Sequence, residues 1–260
     1  MAFNGFGLSP ASGAAANESL GAAANSLRDE FFFVNHTYDH ENLDCYQPVP
    51  NSRVCTPANY AQSYDEIAQN LDSVKGLTLP IDLESMVTPG ISALANTNFL
   101  KAAANQGVKY LVTDMSRAGW RPSQPNTGVF SPYVPSILYI PRRATNIFYN
   151  TNSGSSGITG SLVDEYNLFY GANGLFRAPG GVPYFTADQT YADIINRESD
   201  QLLQYMLRGE IDPTMYHQAN MIRCWGGNTL ILDVLDAASN KYMRVAGSSR
   251  AQHHAVRNRQ

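Results

Sequence analysis

Two histidines four residues apart, His36 and His40, directly follow an apolar segment. Residues 31–34 (Phe-Phe-Phe-Val) are typical of a buried strand, and α/β proteins usually build ligand sites at strand ends. If the chain turns into a helix there, both imidazoles lie on one face and can bind one metal ion. The alternative is a pair of solvated histidines in a loop. The buried strand that leads into the pair favours the metal.

Two further segments carry residues suited to catalysis. Arg142 and Arg143 directly follow a predicted strand, where an arginine can hold a carboxylate by two parallel hydrogen bonds or bind an anion. The alternative is an ordinary pair of surface arginines. His217 ends a short apolar segment and is suited to act as a general acid or base, or it has a structural role only.

The elements that must position these residues alternate along the chain. Strands are predicted at 2–6, 31–35, 108–113, 137–140 and 214–217. Helices are predicted at 17–28, 56–73, 96–106, 160–170, 187–207 and 229–242, with Thr56 and Asn96 as N-caps of two of them. This alternation favours an α/β sheet or barrel with mostly parallel strands. We expect one domain over residues 1–245 and a disordered polar tail over 246–260.

Composition narrows the function classes. The chain has 260 residues, a formal net charge of −4 and 15% charged residues, with no Lys/Arg cluster before the C-terminal tail, so nucleic-acid binding is not expected. No apolar run is long enough for a membrane span, and the first residues do not form a signal peptide. The 15 tyrosines suit either packing or stacking on sugar rings. Cys45 and Cys55 form a disulfide, or all three cysteines are reduced.

Taken in order, six segments resemble the NodB-type polysaccharide deacetylases, in the branch that includes the galactosaminogalactan and Pel polysaccharide deacetylases. They are 2–5 (Ala-Phe-Asn-Gly), 34–44 with the histidines, 86–92 (Met-Val-Thr-Pro-Gly-Ile-Ser), 141–150 with the arginines, 164–167 (Asp-Glu-Tyr-Asn) and 215–220 (Met-Tyr-His-Gln-Ala-Asn). Thr37 after the first histidine fits the family motif H-[ST]-x-x-H, whereas the metalloprotease motif H-E-x-x-H needs glutamate there. The resemblance implies a distorted (β/α) barrel and hydrolysis of N-acetyl groups on an exopolysaccharide that contains N-acetylhexosamine, N-acetylgalactosamine in this branch. It also implies an extracellular or cell-wall location.

The resemblance assigns a role to each matching residue. His36 and His40 would bind a divalent metal, Zn²⁺ first among the candidates, and His217 would protonate the departing amine. Arg142 matches the arginine of the family motif R-x-P, although Ala144 stands where proline is expected; Arg143 is the competing candidate. Three more residues are predicted to bind substrate: Asn146, Tyr149 and Gln218.

One departure from the family pattern matters. The family places an Asp-Asp pair at the end of its first strand, but the acidic residues before His36 are only Glu18, Asp29 and Glu30. We therefore expect a fragment that lacks the first strand or strands, with an exposed sheet edge and low activity on its own. Two other hypotheses stay open: a non-catalytic carbohydrate-binding remnant, and a metal-binding protein unrelated to sugars. The second leaves Arg142 and His217 without a role.

Overall fold

The structure, a computed structural model, describes residues 1–6, 21–22, 24–26, 28–47, 54–117, 119–149, 161–221 and 229–257. The chain forms two compact units, Met1–Arg142 and Arg143–Gln260. Across these described residues, no helix combines the length and apolar character needed to cross a membrane.

The first unit contains a six-stranded sheet. Its strands are β1 (Ala2–Phe3), β2 (Phe33–Asn35), β3 (Ile81–Met86), β4 (Tyr110–Val112), β5 (Val129–Phe130) and β6 (Leu138–Ile140). Their order across the sheet is β1-β2-β3-β4-β6-β5. All neighbouring pairs are parallel except β5 and β6, which are antiparallel. Over the described residues the sheet does not close, and β1 forms one of its edges. The predicted α/β class with a mostly parallel, incomplete barrel is therefore confirmed.

Two strands, β3 and β5, were not predicted from the sequence, and one predicted strand is absent. The segment 214–217 is not a strand, because Thr214 makes only an isolated parallel bridge with Arg143. His217 therefore does not end a strand, contrary to the prediction.

The helices of the first unit are α1 (Tyr60–Leu77) and α2 (Thr97–Asn105). Asn96 caps α2, as predicted, by accepting from the backbone of Asn98 and Phe99. The predicted cap of α1 is wrong: Asn59, not Thr56, caps it through a reciprocal capping box with Gln62. Thr56 instead pairs with Tyr46 in an isolated antiparallel bridge.

A buried cluster joins these helices to the sheet. Its members come from α1 (Ile67), from α2 (Phe99, Leu100 and Ala103), and from strands β3, β4 and β6 (Met86, Leu111 and Tyr139). Burying a large apolar side chain stabilises a fold by about 1.5–3 kcal/mol. This cluster therefore holds the sheet and the two helices as one scaffold, and it fixes the positions of the strand ends.

The second unit contains α3 (Leu162–Tyr170), α4 (Tyr191–Leu207) and α5 (Leu230–Arg257). Its core includes Ile147, Leu162, Leu230 and Val234. Helix α5 continues to Arg257 and so includes residues 246–257, for which disorder stays a prediction. That segment contains no proline and several alanines and arginines, which have high helix propensity.

A disulfide joins Cys45 and Cys55 in the first unit. It closes the same loop as the backbone bridge between Tyr46 and Thr56. Of the two alternatives left open by the sequence, the structure therefore shows the bonded one. Cys224 lies outside the described residues.

Candidate active site

Polar side chains follow the carboxyl ends of five strands of the sheet. Asn4 follows β1, His36 follows β2 and Thr88 lies two residues beyond β3; Asp114 and Arg142 lie two residues beyond β4 and β6. Because these strands are parallel, their carboxyl ends lie along one edge of the sheet, which is where α/β proteins usually bind ligands. This edge is the candidate active site of the first unit.

His36 and His40 lie next to each other. Their ring centroids are 4.9 Å apart, and the ring planes are inclined by 75°. A loop brings the rings together, not the turn of helix that the spacing predicted. Thr37 and His40 both have positive φ, at 63° and 66°. Such values are uncommon for residues other than glycine, most of all for a β-branched residue such as threonine.

One ring nitrogen of His36 is already engaged. Its Nδ1 lies 2.7 Å from the backbone carbonyl oxygen of Val87, which follows β3. A carbonyl oxygen only accepts hydrogen bonds, so Nδ1 carries the proton and Nε2 keeps its lone pair. This arrangement is common in metal-binding histidines, where the second nitrogen donates to a neighbouring group.

Burial keeps the His36 ring neutral. The pKa of His36 is lowered to about 4, mainly by desolvation; the hydrogen bond to Val87 opposes this shift, and the charges of His40 and Arg142 add to it. A metal ion binds the neutral form of imidazole. Because the His36 ring is already neutral near pH 7, no proton has to leave it before a metal binds. Arg142 also lies close enough to act on His36 electrostatically.

The donor set fits two of the four ligands that zinc usually takes in proteins. Within the described residues, no three His, Cys, Asp or Glu side chains are grouped so that they could hold one metal ion.

The residue after β1 is Asn4, whose Nδ2 donates to the carbonyl oxygens of His36 and Thr37. The buried Thr37 hydroxyl has no hydrogen-bond partner among the described residues. A buried polar atom without a partner costs about 1–3 kcal/mol, which is consistent with a further polar group at this loop.

Arg142 pairs with a carboxylate that the sequence patterns did not single out. Its Nη2 lies 3.5 Å from Oδ2 of Asp114, and both side chains are largely buried. Asp114 also accepts hydrogen bonds from the backbone nitrogen (2.9 Å) and hydroxyl (2.6 Å) of Ser116. Burial alone would raise the pKa of Asp114, but the Ser116 bonds and the charges of Arg142 and Arg117 outweigh it and lower that pKa. Asp114 is therefore an anion that orients Arg142.

Arg143 makes its contacts inside the second unit. It forms ion pairs with Glu210 and, at 3.4 Å, with Asp212, whose side chains are 5% and 3% exposed. Its guanidinium also lies 4.2 Å from the ring centroid of Tyr205. These contacts give Arg143 a structural role. Of the two candidates, Arg142 is the arginine at the strand-end edge.

His217 lies in the second unit and its ring contacts that of Tyr149, with ring centroids 3.9 Å apart and planes inclined by 30°. Buried Asn220 fixes this pair, because its Oδ1 accepts from the backbone of His217 and its Nδ2 donates to the carbonyl of Phe148. Asn220 belongs to the 215–220 segment, but its role was not predicted. The prediction that His217 faces the same cavity as His36 and His40 stays a prediction.

The three predicted substrate-binding residues all belong to the second unit. The Asn146 amide donates to Glu198 (3.0 Å) and accepts from the Tyr170 hydroxyl (3.2 Å). Tyr149 is 67% exposed and its ring contacts that of His217. Gln218 begins a short 3₁₀ segment, Gln218–Met221, and its side chain lies outside the described residues. Substrate binding by these residues stays a prediction.

Comparisons with known proteins identify the family and the fold of this chain. The family described as the Agd3 deacetylase domain matches residues 20–231. Among solved structures, the chain is similar to that of Agd3, described as a novel carbohydrate deacetylase, with 20% sequence identity and a TM-score of 0.67. That match covers 89% of this chain and 34% of the other, so this chain spans about a third of that protein's length. At this identity the structural likeness shows the fold alone. No curated protein matches the sequence.

Proposed function

Because the chain belongs to the Agd3 deacetylase domain family, we propose that it is a metal-dependent polysaccharide N-deacetylase. Its substrate would be an exopolysaccharide that contains N-acetylhexosamine, with N-acetylgalactosamine as the first sugar to test. The observation that carries the proposal is the His36–His40 pair at the carboxyl edge of the sheet, with Nδ1 of His36 fixed on Val87. The similar solved structure is that of a carbohydrate deacetylase, which supports the same class of reaction.

The proposed roles follow from the chemistry of each residue. Nε2 of His36 and a ring nitrogen of His40 would hold a divalent cation, with Zn²⁺ favoured by two imidazole ligands. When bound, such an ion lowers the pKa of water and polarises a carbonyl group. Water would add to the acetyl carbon and the C–N bond would break; acetate would be released, and the amine would stay on the sugar and take up the protons that the water loses. His217 would give the departing nitrogen its proton, a role that rests on the family resemblance.

Arg142 would act through charge. It is a permanent cation, held by Asp114 at the same sheet edge as His36. Such a group stabilises an anionic carboxylate or the negative charge that develops on the carbonyl oxygen during hydrolysis. Tyr149, which is exposed beside His217, would stack on a sugar ring.

An extracellular or cell-wall location is part of the proposal. The disulfide between Cys45 and Cys55 supports it, because disulfides persist mainly in oxidising compartments. The proposed partner is the polysaccharide itself, and we propose no nucleic-acid partner.

A second candidate function is carbohydrate binding without catalysis. It is favoured by one observation: the described residues place Asn4, rather than an acidic residue, after β1 and bring no third metal ligand to the histidine pair. In this case the protein would bind the glycan but release no acetate from it.

One experiment separates the two functions. The full chain is loaded with zinc and incubated with a partly N-acetylated galactosamine polymer, and released acetate and bound polymer are both measured. Deacetylation predicts acetate release that is lost in His36→Ala and His40→Ala and kept in the control His254→Ala. Polymer binding without acetate release would favour the binding function instead.

A further inference from the structure

Helix α1 turns a buried polar face toward the loop that carries the two histidines. Three polar residues spaced along this face, Ser63, Glu66 and Asn70, are each 4% exposed or less. Burying polar groups costs free energy unless hydrogen bonds compensate for the lost water. The partners of Glu66 and Asn70 therefore show what this face does.

Glu66 binds the backbone between the two histidines. Its Oε2 accepts from the backbone nitrogens of Tyr38 at 3.0 Å and Asp39 at 3.3 Å. Burial and the hydrogen bond with Asp39 raise the pKa of Glu66 to about 7, but a carboxyl oxygen accepts from backbone N–H groups whether or not the group is ionised. Glu66 itself is fixed, because it lies in the middle of α1 next to Ile67 in the main core cluster.

A second tie holds the start of the same loop. Oδ1 of Asn35 accepts from the backbone nitrogen of Thr37 (2.9 Å) and from Nδ2 of Asn70 (2.9 Å). The Asn70 amide also donates to the carbonyl of Phe3 in β1 (2.7 Å). Three consecutive backbone N–H groups, those of residues 37 to 39, are thus bound by buried side-chain oxygens.

The loop needs such ties because its backbone is strained. Thr37 and His40 have positive φ; a non-glycine residue in this conformation costs about 1–3 kcal/mol, and the conformation persists only where its surroundings enforce it. This same conformation brings the rings of His36 and His40 to 4.9 Å. If the backbone of Tyr38 and Asp39 relaxed, the rings would separate.

We propose that Glu66 is a positioning residue that holds the His36–His40 loop in its metal-binding conformation. It acts through the backbone of Tyr38 and Asp39 and does not itself touch the metal or the substrate. The proposal rests on the proposed function for the metal, but the contacts of Glu66 exist without it.

Three substitutions test this role in the full chain. Glu66→Ala removes the acceptor, and Glu66→Asp withdraws it by one methylene while keeping the carboxyl group. Glu66→Gln is the conservative rescue, since its amide oxygen can still accept from the loop and its N–H can donate to Asp39, with which Glu66 shares a hydrogen bond. Asp65→Ala is the matched control, because Asp65 is the exposed neighbour of Glu66 on the same helix.

The first readout is zinc affinity, measured by competition with a chromogenic chelator. Glu66→Ala and Glu66→Asp should bind zinc about 10- to 100-fold more weakly, the usual effect of removing a group that orients a metal ligand. Glu66→Gln and Asp65→Ala should stay near the wild-type affinity. With cobalt in place of zinc, the d–d absorption of the bound ion should change in Glu66→Ala and Glu66→Asp. A lower global stability would not change this absorption as long as the protein stays folded.

The second readout does not need a metal. Amide hydrogen exchange of Tyr38 and Asp39 in the metal-free protein should become about tenfold faster or more in Glu66→Asp, because the backbone N–H of each loses its buried side-chain acceptor. Exchange unchanged in that variant would overturn the role of Glu66. Zinc affinity equal to wild type in a folded Glu66→Ala or Glu66→Asp variant would also overturn it. If the wild type binds no zinc, the proposed metal function is contradicted. Faster exchange in Glu66→Asp would in that case still support the role of Glu66 in holding the loop.

Discussion

Nδ1 of His36 lies 2.7 Å from the carbonyl oxygen of Val87. This hydrogen bond joins the end of β2 to the end of β3 and determines which ring nitrogen of His36 can bind a ligand. Because Nδ1 must carry the proton, the lone pair of Nε2 is the one available to a metal. The chain thus orients one histidine before any ion binds.

The first prediction concerns that orientation. His36→Ala should reduce zinc affinity by more than about 100-fold, because removing a ligand costs more than removing a group that orients one. Titration with zinc against a chelator measures this effect. Because burial lowers the pKa of His36 to about 4, its ring should be neutral at pH 7. Nitrogen-15 NMR of the metal-free protein at this pH should show the Nδ1–H tautomer. A protonated Nε2 would contradict the assignment.

The second prediction separates the two arginines. Arg143→Ala removes the buried cation shared by Glu210 and Asp212, so it should reduce the free energy of unfolding by about 3–5 kcal/mol. Arg142→Ala should cost about 1 kcal/mol, because Asp114 keeps its bonds to Ser116 and its pairing with Arg117. Urea denaturation measures both.

Activity should rank the same two variants in the opposite way. In folded protein, Arg142→Ala should lower kcat/KM for deacetylation by about 100-fold, the usual effect of removing one fixed charge from a reaction centre. Arg143→Ala, measured at low temperature where it remains folded, should lose much less. A large activity loss in Arg143→Ala together with an unchanged Arg142→Ala would reverse the assignment.

Sequence and structure agree where local signals decide the outcome. Asn96 was identified as a cap because asparagine side chains satisfy the first free N–H groups of a helix, and it does so. Strand β3 could have been found from residues 81–84, which alternate apolar and polar side chains, although its burial does not alternate because Asp82, Leu83 and Glu84 are all exposed. It is a strand because β2 and β4 pair with it on both sides, which is information from distant residues.

The candidate site likewise has features that the local sequence predicts and features that depend on distant residues. The spacing of His36 and His40 predicted that their rings would meet, but not that a loop with positive φ would achieve it. That conformation depends on Glu66 and Asn70, some 30 residues further along the chain. Asp114 could have been found, since it directly follows the predicted strand 108–113, as Arg142 follows 137–140. The same strand-end argument that selected the arginine also applies to this aspartate.

A third prediction concerns pH and the second unit. Glu198 is buried, and this burial raises its pKa, while hydrogen bonds from Asn146 and Tyr166 oppose the shift. A carboxyl group with a raised folded-state pKa binds protons more tightly in the folded protein than in the unfolded protein. Its contribution to stability is therefore full below the unfolded value, near 4.5, and is lost as the pH rises through the folded value.

The measurement compares wild type with Glu198→Gln at pH 5 and pH 8. The free energy of unfolding of the wild type should fall relative to that of the variant as the pH rises. Asp236→Asn, at an exposed position on α5, is the control and should show no such trend. A difference between wild type and Glu198→Gln that does not change with pH would contradict the prediction.

The fourth prediction concerns the disulfide. Cys45 and Cys55 are ten residues apart, and closing a loop of this size stabilises a fold by up to about 3 kcal/mol. The double substitution Cys45→Ser with Cys55→Ser should therefore lower the midpoint of urea denaturation, as should a reducing agent added to the wild type. A reducing agent that still lowers the midpoint of the double variant would show that the effect lies elsewhere.

The most direct test of the central claim is acetate release by the zinc-loaded full chain from a partly N-acetylated galactosamine polymer, with wild type, His36→Ala and His40→Ala compared at equal concentration. We predict that wild type releases acetate in proportion to its bound zinc and that each histidine variant loses both zinc and acetate release. Acetate release that persists in both variants, or zinc-loaded wild type that releases none, would contradict the assignment of this histidine pair to metal-dependent deacetylation.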